Sequence, residues 1–263
     1  MSAGPRRQAR EAGAQRATGE RSAGPRRQAR EAGAQRATGE RSAGPRQTGI
    51  PFVVAAPSGT GKTTVCRRVV ESDPLVEFSV SHTTRAQRPG EEDGVAYHFV
   101  TREEFARLVA AGAFLEWAEY NGNHYGTSWA SLDAPLARGR DVLLEIEIQG
   151  ARQVRERRRD ARLIFLLPPS LEVLERRLRS RGTDSPEAVA GRLALARREL
   201  AAAEDGFDYA VVNDDLERCV AEVVAILAAE RAGDAAELRR RCDPGPALAR
   251  LRAGALGPRA PIG

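Results

Sequence analysis

Short apolar runs alternate with segments of helical spacing along most of the chain. Runs rich in branched apolar residues predict buried strands at Ile50–Ala55, Asp141–Gly150, Arg162–Leu167 and Tyr209–Asn213. Between them, apolar residues recur every three or four positions, as in Thr64–Val70, which predicts helices. Strands that alternate with helices indicate an α/β fold with a parallel sheet flanked by helices.

Capping residues set the expected bounds of several helices. Thr127 or Ser128 begins a helix that reaches about Arg138, and Ser170 caps one that runs to about Ser180. Another starts at Ser185-Pro186, with proline at the first helical position. Asp214 or Asp215 caps the last helix, which runs to about Ala232. The run 152–162 is helical and basic, and it is expected to form a solvated face.

Residues 78–130 interrupt this alternation. A short strand from Phe78 leads into a loop that carries Arg85 and Arg88, and Thr101–Glu104 is a capping box that opens a helix. Two strands, 114–120 and 124–127, flank a turn at 121–123 and predict a hairpin. The segment has the pattern of a lobe inserted into the α/β core.

The segment Ala56–Thr63 follows the first predicted strand and reads Ala-Pro-Ser-Gly-Thr-Gly-Lys-Thr. Strand, glycine-rich turn, Lys-Thr and helix form the P-loop arrangement, in which backbone N–H groups and a helix N-terminus surround a phosphate. Ala56 replaces the first glycine of the usual pattern, whereas Gly59 and Gly61 remain. Lys62 would reach the terminal phosphates, and the Thr63 hydroxyl would bind Mg²⁺.

Lys62 is the only lysine among 41 basic residues, and the other 40 are arginines. An ammonium is a compact charge on a flexible stem, whereas a guanidinium is a planar fork. A site that places one point charge between phosphates would not accommodate a guanidinium. This lone lysine therefore supports the P-loop interpretation.

The basic character of the chain belongs to its N-terminal segment. Residues 2–21 recur unchanged as 22–41, and a third copy starts at Ser42. Residues 1–46 hold 11 arginines and 4 glutamates, a net charge of +7, whereas the remaining 30 basic and 32 acidic residues give −2. Because the repeat has no large apolar side chain, a disordered tail is expected over 1–46. Nucleic-acid binding by this tail is possible but not favoured, because no aromatic residue is interleaved for stacking.

Three widely spaced cysteines, with neither metal spacing nor a disulfide pattern, favour a reducing cytoplasm. No apolar run approaches the length of a membrane span, so no membrane contact is expected. The segment 233–263 is rich in Arg, Ala, Gly and Pro and is interpreted as a low-complexity extension.

Two glutamates lie in the strand predicted over Asp141–Gly150. Glu145 and Glu147 are two residues apart, so a strand would present both on one face. An acidic residue at the end of a strand beside a P-loop typically lies near Mg²⁺. The arginine pair Arg85 and Arg88 could grip a phosphate through bidentate hydrogen bonds, although two solvated arginines would have the same spacing.

With these segments in hand, residues 48–232 resemble the guanylate kinase family. The resemblance is carried by the P-loop segment, Val-Ser-His-Thr-Thr-Arg-Ala-Gln-Arg-Pro-Gly-Glu, Gly-Asn-His-Tyr-Gly-Thr, Glu-Ile-Glu-Ile-Gln-Gly, Arg-Gly-Thr-Asp and Val-Val-Asn-Asp-Asp. It implies Mg²⁺- and ATP-dependent phosphorylation of GMP, and of dGMP, in guanine nucleotide metabolism. It also implies a core (48–77, 131–177 and 196–232), a GMP-binding lobe (78–130) and a lid (178–195).

The resemblance also implies roles for individual residues. Catalytic charges would come from Lys62, Arg177, Arg181 and Arg192. ATP would be bound by Ala56, Pro57, Ser58, Gly59, Thr60, Gly61, Lys62, Thr63, Thr64, Arg181 and Asn213. The GMP phosphate would be held by Ser81, Arg85, Arg88, Tyr97 and Tyr125. Guanine would be read by Glu116 and Thr127, with Glu147 on the GMP side. Mg²⁺ would lie at Thr63 and Glu145, directly or through water.

Two alternatives remain open from the sequence. One is a guanylate-kinase-like binding module without catalysis, which would be expected to lack an intact P-loop; Lys62 and Thr63 favour the enzyme. The other is a nucleotide kinase with another acceptor, against which Glu116 and Tyr125 argue. The oligomeric state is not indicated.

Overall fold

The structure is a computed structural model that describes residues 48–120, 122–180, 185–203 and 206–254. The predicted tail over 1–46, Arg181 and residues 255–263 lie outside the described residues. The elements in these ranges are β1 (Pro51–Ala55), α1 (Lys62–Ser72), β2 (Val76–Phe78), β3 (His82–Thr83), β4 (His98–Phe99), α2 (Arg102–Ala110), β5 (Phe114–Tyr120), β6 (Asn123–Ser128), α3 (Trp129–Ala137), β7 (Asp141–Glu145), α4 (Ile148–Arg157), β8 (Arg162–Leu167), α5 (Leu171–Ser180), α6 (Pro186–Ala202), β9 (Tyr209–Val212), α7 (Leu216–Ala232), α8 (Ala236–Arg241) and α9 (Pro244–Arg252).

A five-stranded parallel sheet in the order β2-β7-β1-β8-β9 forms the centre of the core, as the alternation of strands and helices predicted. Its strands are buried on both faces, which explains their continuous apolar runs. On one face Val53, Leu144 and Phe165 pack with α3, α4 and α9. On the other, Val54 and Ile164 pack with α1 and α7. Ligands bind such sheets beyond the carboxyl ends of the strands.

The predicted inserted lobe is a separate four-stranded sheet in the order β4-β3-β6-β5. Strands β5 and β6 form the predicted antiparallel hairpin, with Glu116 opposite Thr127. The Thr101 hydroxyl accepts a hydrogen bond from the Glu104 N–H at 3.1 Å, so the predicted cap of α2 is present. Phe105 from α2 stacks on Phe114 and anchors this helix to the sheet.

The strand predicted over Asp141–Gly150 is too long. Strand β7 ends at Glu145, and Glu147 is the residue that caps α4, which runs from Ile148 to Arg157. The expectation that Glu145 and Glu147 share one face of a strand is therefore wrong, because the strand ends at Glu145 and Glu147 is already the N-cap of α4. The basic helix also begins and ends earlier than 152–162.

Basic residues of α4 are not simply solvated. Arg155 forms an ion pair with Asp208, and the Arg157 guanidinium donates to the Leu115 carbonyl at 2.7 Å. Gln153 exchanges two hydrogen bonds with the backbone of Trp117. These contacts attach α4 to β5, the strand that carries Glu116.

The prediction that α7 is the last helix is wrong, because α8 and α9 follow it. Ala247, Leu248 and Leu251 of α9 are buried in the core, and the Ala210 N–H of β9 donates to the Cys242 carbonyl at 2.7 Å. The segment that contains α8 and α9 thereby covers the edge strand β9 of the parallel sheet. The backbone groups of β9 would otherwise be open to another chain. None of the helices within the described ranges is both long and apolar enough to cross a membrane.

Candidate functional site

A cavity of about 340 Å³ lies where the carboxyl ends of β1 and β7 face the inserted lobe. The P-loop forms one side of this cavity, and residues of the lobe form the other. Its lining includes many of the predicted site residues: Ala56, Pro57, Ser58, Gly59, Gly61, Lys62, Thr63, Thr64, Ser81, Tyr97, Glu116, Tyr125, Glu145 and Glu147.

The P-loop has the conformation that its glycines permit. Gly59 and Gly61 have φ angles of 90° and 96°, which L side chains rarely adopt, and Gly61 caps α1. A Cβ at Gly61 would also lie 2.8 Å from the Asn213 side-chain nitrogen. Ala56 is 1% exposed and packs in the core, so the departure from the usual glycine adds a buried methyl group.

Two side chains from outside the P-loop hold it through one carbonyl. Thr60 accepts hydrogen bonds from the Asn213 amide at 2.7 Å and from the Arg177 guanidinium at 3.4 Å. Arg177 also donates to the Asn213 carbonyl at 2.9 Å. In this structure Arg177 and Asn213 therefore support the P-loop from behind and do not line the cavity; their predicted contacts with nucleotide remain predictions.

Lys62 is held at the mouth of the P-loop by two acceptors. Its ammonium donates to the Ile146 carbonyl at 2.7 Å and to Glu147 Oε1 at 3.0 Å. Burial alone would lower the pKa of Lys62, but the carboxylates of Glu147 and Glu145 outweigh it and raise that pKa above its usual range. The ammonium is therefore charged and positioned before any phosphate arrives.

Thr63 and Glu145 lie together on the other side of the loop. The Thr63 hydroxyl donates to Glu145 Oε1 at 2.5 Å. Hydroxyl and carboxylate oxygens are the donors that Mg²⁺ prefers, so this pair fits the ion. The described residues contain no cluster of three His, Cys, Asp or Glu side chains that could hold a metal. The remaining ligands would have to be phosphate oxygens and water.

Glu116 is the most deeply buried carboxylate of the cavity, with 4% of its surface exposed. Its Oε1 accepts a hydrogen bond from the Thr127 N–H at 3.0 Å across the β5–β6 pair. Burial raises the pKa of Glu116 to about 7, and the hydrogen bonds from Thr127 only partly oppose this. The carboxylate is thus an acceptor with few partners in the protein.

Arg85 is held by an acidic and an aromatic partner within the lobe. Its guanidinium forms two hydrogen bonds with the Glu91 carboxylate, at 2.8 and 3.0 Å, and lies 5.3 Å from the centre of the Tyr97 ring. The Tyr97 and Tyr125 rings pack edge to face.

The side chains of Ser81 and Thr127 are hydrogen-bonded at 3.2 Å. Arg85 and Thr127 are behind the cavity lining, and Arg88 is exposed on the same loop.

The predicted lid arginines are only partly described. Arg192 lies on α6, outside the cavity lining, and Arg181 lies outside the described residues. Helix α6 packs on α5 through Leu174, Leu178 and Val189. The two helices form a unit on the P-loop side, where a Cβ at Gly59 would meet Leu178 at 2.8 Å.

Sequence reasoning missed two groups beside the phosphate site. One is the Ile146 carbonyl, which binds Lys62 and has no sequence signal. The other is Glu199 of α6, which accepts a hydrogen bond from the Ser58 backbone; its Oε2 is buried and has no partner among the described residues. Burial and the Glu147 charge raise the pKa of Glu199 to about 7. A glutamate within a helical pattern gives no indication of such a position.

Comparisons with known proteins agree with this geometry. A family model described as "Guanylate kinase" matches residues 48–230. A guanylate kinase of Symbiobacterium thermophilum is 52% identical over 70% of this chain and 87% of its own length, and one of Alkalilimnicola ehrlichii is 54% identical over 70% and 90%.

A solved structure gives the same result for the fold. The crystal structure of guanylate kinase from Anaplasma phagocytophilum superimposes with a TM-score of 0.58 at 36% identity, covering 71% of this chain and 88% of that one. Fold, cavity and sequence therefore lead to one conclusion: this chain belongs to the guanylate kinase family.

Proposed function

We propose a residue-level account of the reaction that this family catalyses, in which the γ-phosphoryl group of ATP is transferred to GMP to give ADP and GDP. One observation carries the proposal: the P-loop with Lys62 and the buried carboxylate Glu116 face each other across a single cavity. One end of that cavity is built for phosphates, and the other end is built for a base that donates hydrogen bonds.

ATP binds with its phosphates at the P-loop. The backbone N–H groups of residues 58–63 and the N-terminus of α1 surround the β-phosphate, and Lys62 reaches the β- and γ-phosphates. To do so, Lys62 exchanges part of its contact with Glu147 for phosphate oxygens. Asn213 and Arg181 contribute near the adenine, as the family resemblance implies.

Thr63 and Glu145 hold Mg²⁺, directly or through water. When bound, Mg²⁺ neutralises charge that develops on the β- and γ-phosphate oxygens. The 2.5 Å contact between the Thr63 hydroxyl and Glu145 supports this assignment, because it places both oxygens at one point beside the phosphate site. Glu147 pairs with Lys62 and faces the GMP side of the cavity.

GMP binds in the lobe. Guanine presents its N1–H and its 2-amino group side by side, and the Glu116 carboxylate accepts from both, with Thr127 beside it. AMP would place the N1 lone pair of adenine against that carboxylate and would leave it without donors, which such sites reject strongly. Ser81, Arg85, Arg88, Tyr97 and Tyr125 hold the GMP phosphate. The 2′-hydroxyl plays no part in these contacts, so dGMP is also expected to be a substrate.

A GMP phosphate oxygen attacks the γ-phosphorus. The bond from the γ-phosphorus to the bridging oxygen breaks, and ADP leaves with the electron pair. The protein forms no covalent intermediate and supplies position and positive charge. Arg177, Arg181 and Arg192 provide that charge as the lid over 178–195 closes and excludes water. Since Arg177 holds the Thr60 carbonyl, its contribution also includes the shape of the P-loop.

A non-catalytic binding module is the alternative, and the P-loop argues against it. Such a module would have no need for the paired Thr63 and Glu145, nor for Lys62 held beside the phosphate site. The three cysteines in the described part of the chain are free, which supports our placement of the enzyme in the cytoplasm.

The test is an ADP-release assay with ATP, Mg²⁺ and one of GMP, dGMP, AMP, CMP or UMP. We expect turnover with the guanine nucleotides alone, a loss of at least about 10³-fold in kcat for Lys62→Ala, and a smaller loss for Lys62→Arg, which keeps the charge. Turnover with AMP but not GMP would overturn the role of Glu116. Absence of turnover in protein that binds GMP would favour the binding module.

A further inference from the structure

Gly150 is a glycine that its own helix does not require. It is the third residue of α4, is buried, and has ordinary helical backbone angles. Glycine in a helix is less favourable than alanine, because it loses more conformational freedom on folding. An alanine at this position would therefore stabilise the helix, unless something occupies the space of its methyl group.

The Glu116 carboxylate occupies that space. A Cβ at Gly150 would lie 2.4 Å from Glu116 Oε2 and 3.1 Å from its carboxyl carbon, and protein Cβ atoms essentially never have neighbours closer than 3.0 Å. The other oxygen of Glu116 accepts the Thr127 N–H at 3.0 Å. The carboxylate is thus confined between the backbone of β6 and the backbone of α4.

We propose that Gly150 is a specificity-determining residue: the missing side chain lets the Glu116 carboxylate rest against α4 in the orientation that reads guanine. The inference rests on the proposed role of Glu116. Gly150 acts through Glu116, so it is a positioning residue.

A methyl group at Gly150 would displace the carboxylate rather than the helix. Moving Oε2 to ordinary contact distance requires a shift of about 1 Å, and α4 cannot retreat, since Arg157 and Gln153 bind it to β5. The carboxylate must then turn into the cavity or give up the Thr127 N–H. In either case the two acceptor oxygens no longer match the paired donors of guanine.

The experiment compares Gly150→Ala with Gly245→Ala. Gly245 lies exposed on helix α9, also without a positive φ, and a Cβ there would have one neighbour, Asp243 Oδ1 at 3.4 Å, which is an ordinary contact distance. The assays use ATP with GMP, AMP or IMP; IMP keeps the N1–H of guanine but lacks the 2-amino group. For Gly150→Ala we expect kcat/KM for GMP to fall by about 10- to 100-fold, the GMP/IMP ratio to fall, and the KM for ATP to stay within about twofold. Gly245→Ala should match the unmodified chain.

One further variant, Glu116→Gln, separates this inference from the proposed role of Glu116. If Glu116→Gln keeps full GMP activity and selectivity, the role of Glu116 itself is wrong. If Glu116→Gln loses GMP activity while Gly150→Ala keeps the GMP/IMP ratio, the role of Glu116 stands and the inference about Gly150 is overturned.

A rescue variant tests the inference even if Gly150→Ala lowers activity by disturbing the fold in general. Glu116→Asp withdraws the carboxylate by one methylene group and makes room for the new methyl. We expect the fold-loss in GMP activity of the double variant Gly150→Ala/Glu116→Asp to be smaller than the product of the fold-losses of the two single variants. Multiplicative losses would show that the two sites are independent and would contradict the inference.

Discussion

At the scale of single residues, one buried carboxylate, that of Glu116, distinguishes the cavity. Glu116 is enclosed by β6 and α4 and has the Thr127 N–H as a partner for one oxygen. Burial of a charge without full compensation costs free energy, and the raised pKa of about 7 expresses that cost. In the proposed role of Glu116, its carboxylate receives two hydrogen bonds from guanine. It therefore stays only partly satisfied until the ligand binds.

This cost gives a stability that depends on pH in a defined direction. The pKa of Glu116 in the folded protein is raised from 4.5 to about 7, so the folded state loses stability as pH rises through that window, and the penalty is complete above about 7. Glu116→Gln cannot ionise and keeps an oxygen for Thr127. We expect it to raise the free energy of unfolding at pH 8 by up to about 3 kcal/mol, and by much less at pH 5.

Urea unfolding at both pH values measures this difference, without nucleotide present. Glu156→Gln is a matched control, since Glu156 is an exposed glutamate of α4. A gain for Glu116→Gln that is equal at pH 5 and pH 8 would contradict the assignment of the pH dependence to Glu116.

Glu145 and Glu147 are near neighbours with different partners. We therefore expect substitutions at the two positions to have different effects. Glu145 pairs with the Thr63 hydroxyl, and Glu147 pairs with Lys62. We expect Glu145→Gln to raise the Mg²⁺ concentration needed for half-maximal activity several-fold. Glu147→Gln should lower activity through Lys62 and leave the Mg²⁺ requirement unchanged. Titration of activity with Mg²⁺ at fixed ATP distinguishes them, and equal Mg²⁺ curves for both variants would contradict this division of roles.

At the scale of elements, the P-loop depends on contacts that its own sequence does not show. The Thr60 carbonyl is held by Asn213, which follows β9, and by Arg177 of α5. Helix α5 and the segment after β9 are therefore both attached to the P-loop through one carbonyl group.

Helix α9 is an integral part of the core, although its composition suggested otherwise. Leu248 is 1% exposed and packs with residues of the parallel sheet. We expect Leu248→Ala to reduce the free energy of unfolding by about 2–5 kcal/mol, the usual cost of truncating a buried leucine. Leu75, which is 46% exposed, provides the control, and Leu75→Ala should change stability by less than about 0.5 kcal/mol. Thermal or urea unfolding measures both, and equal effects would contradict the burial of α9.

At the scale of the whole molecule, the charge is divided unevenly along the chain. Residues 1–46 carry +7, and the remainder carries −2. We expect a chain that starts at Thr48 to keep the kcat, both KM values and the melting temperature of the full chain, because the repeat has no large apolar side chain to add to a core. Removal of residues 1–46 should also abolish any salt-dependent affinity for DNA. A fall in kcat or in melting temperature would show that the tail takes part in folding or catalysis.

Local chemistry explains what could be predicted at the site. Gly59, Gly61, Lys62 and Thr63 lie next to one another in sequence, so their spacing alone indicates a phosphate site. The capping residues Thr101, Ser170 and Ser185 likewise lie within a few residues of the N–H groups that they accept from. The errors fell where distant groups decide the structure, as at the end of β7, where the chain leaves the sheet to start α4.

Neighbouring residues and periodicity were enough to predict the α/β alternation, the inserted lobe, the phosphate loop and the residues that carry the family resemblance. Four features became visible once the chain was folded: Glu147 pairs with Lys62, Asn213 supports the P-loop, α9 completes the core, and Gly150 makes room for Glu116. The contacts of Glu147, Asn213 and Gly150 join residues 34 to 153 positions apart. Their geometry follows from how strands and helices pack in three dimensions, which no local pattern contains.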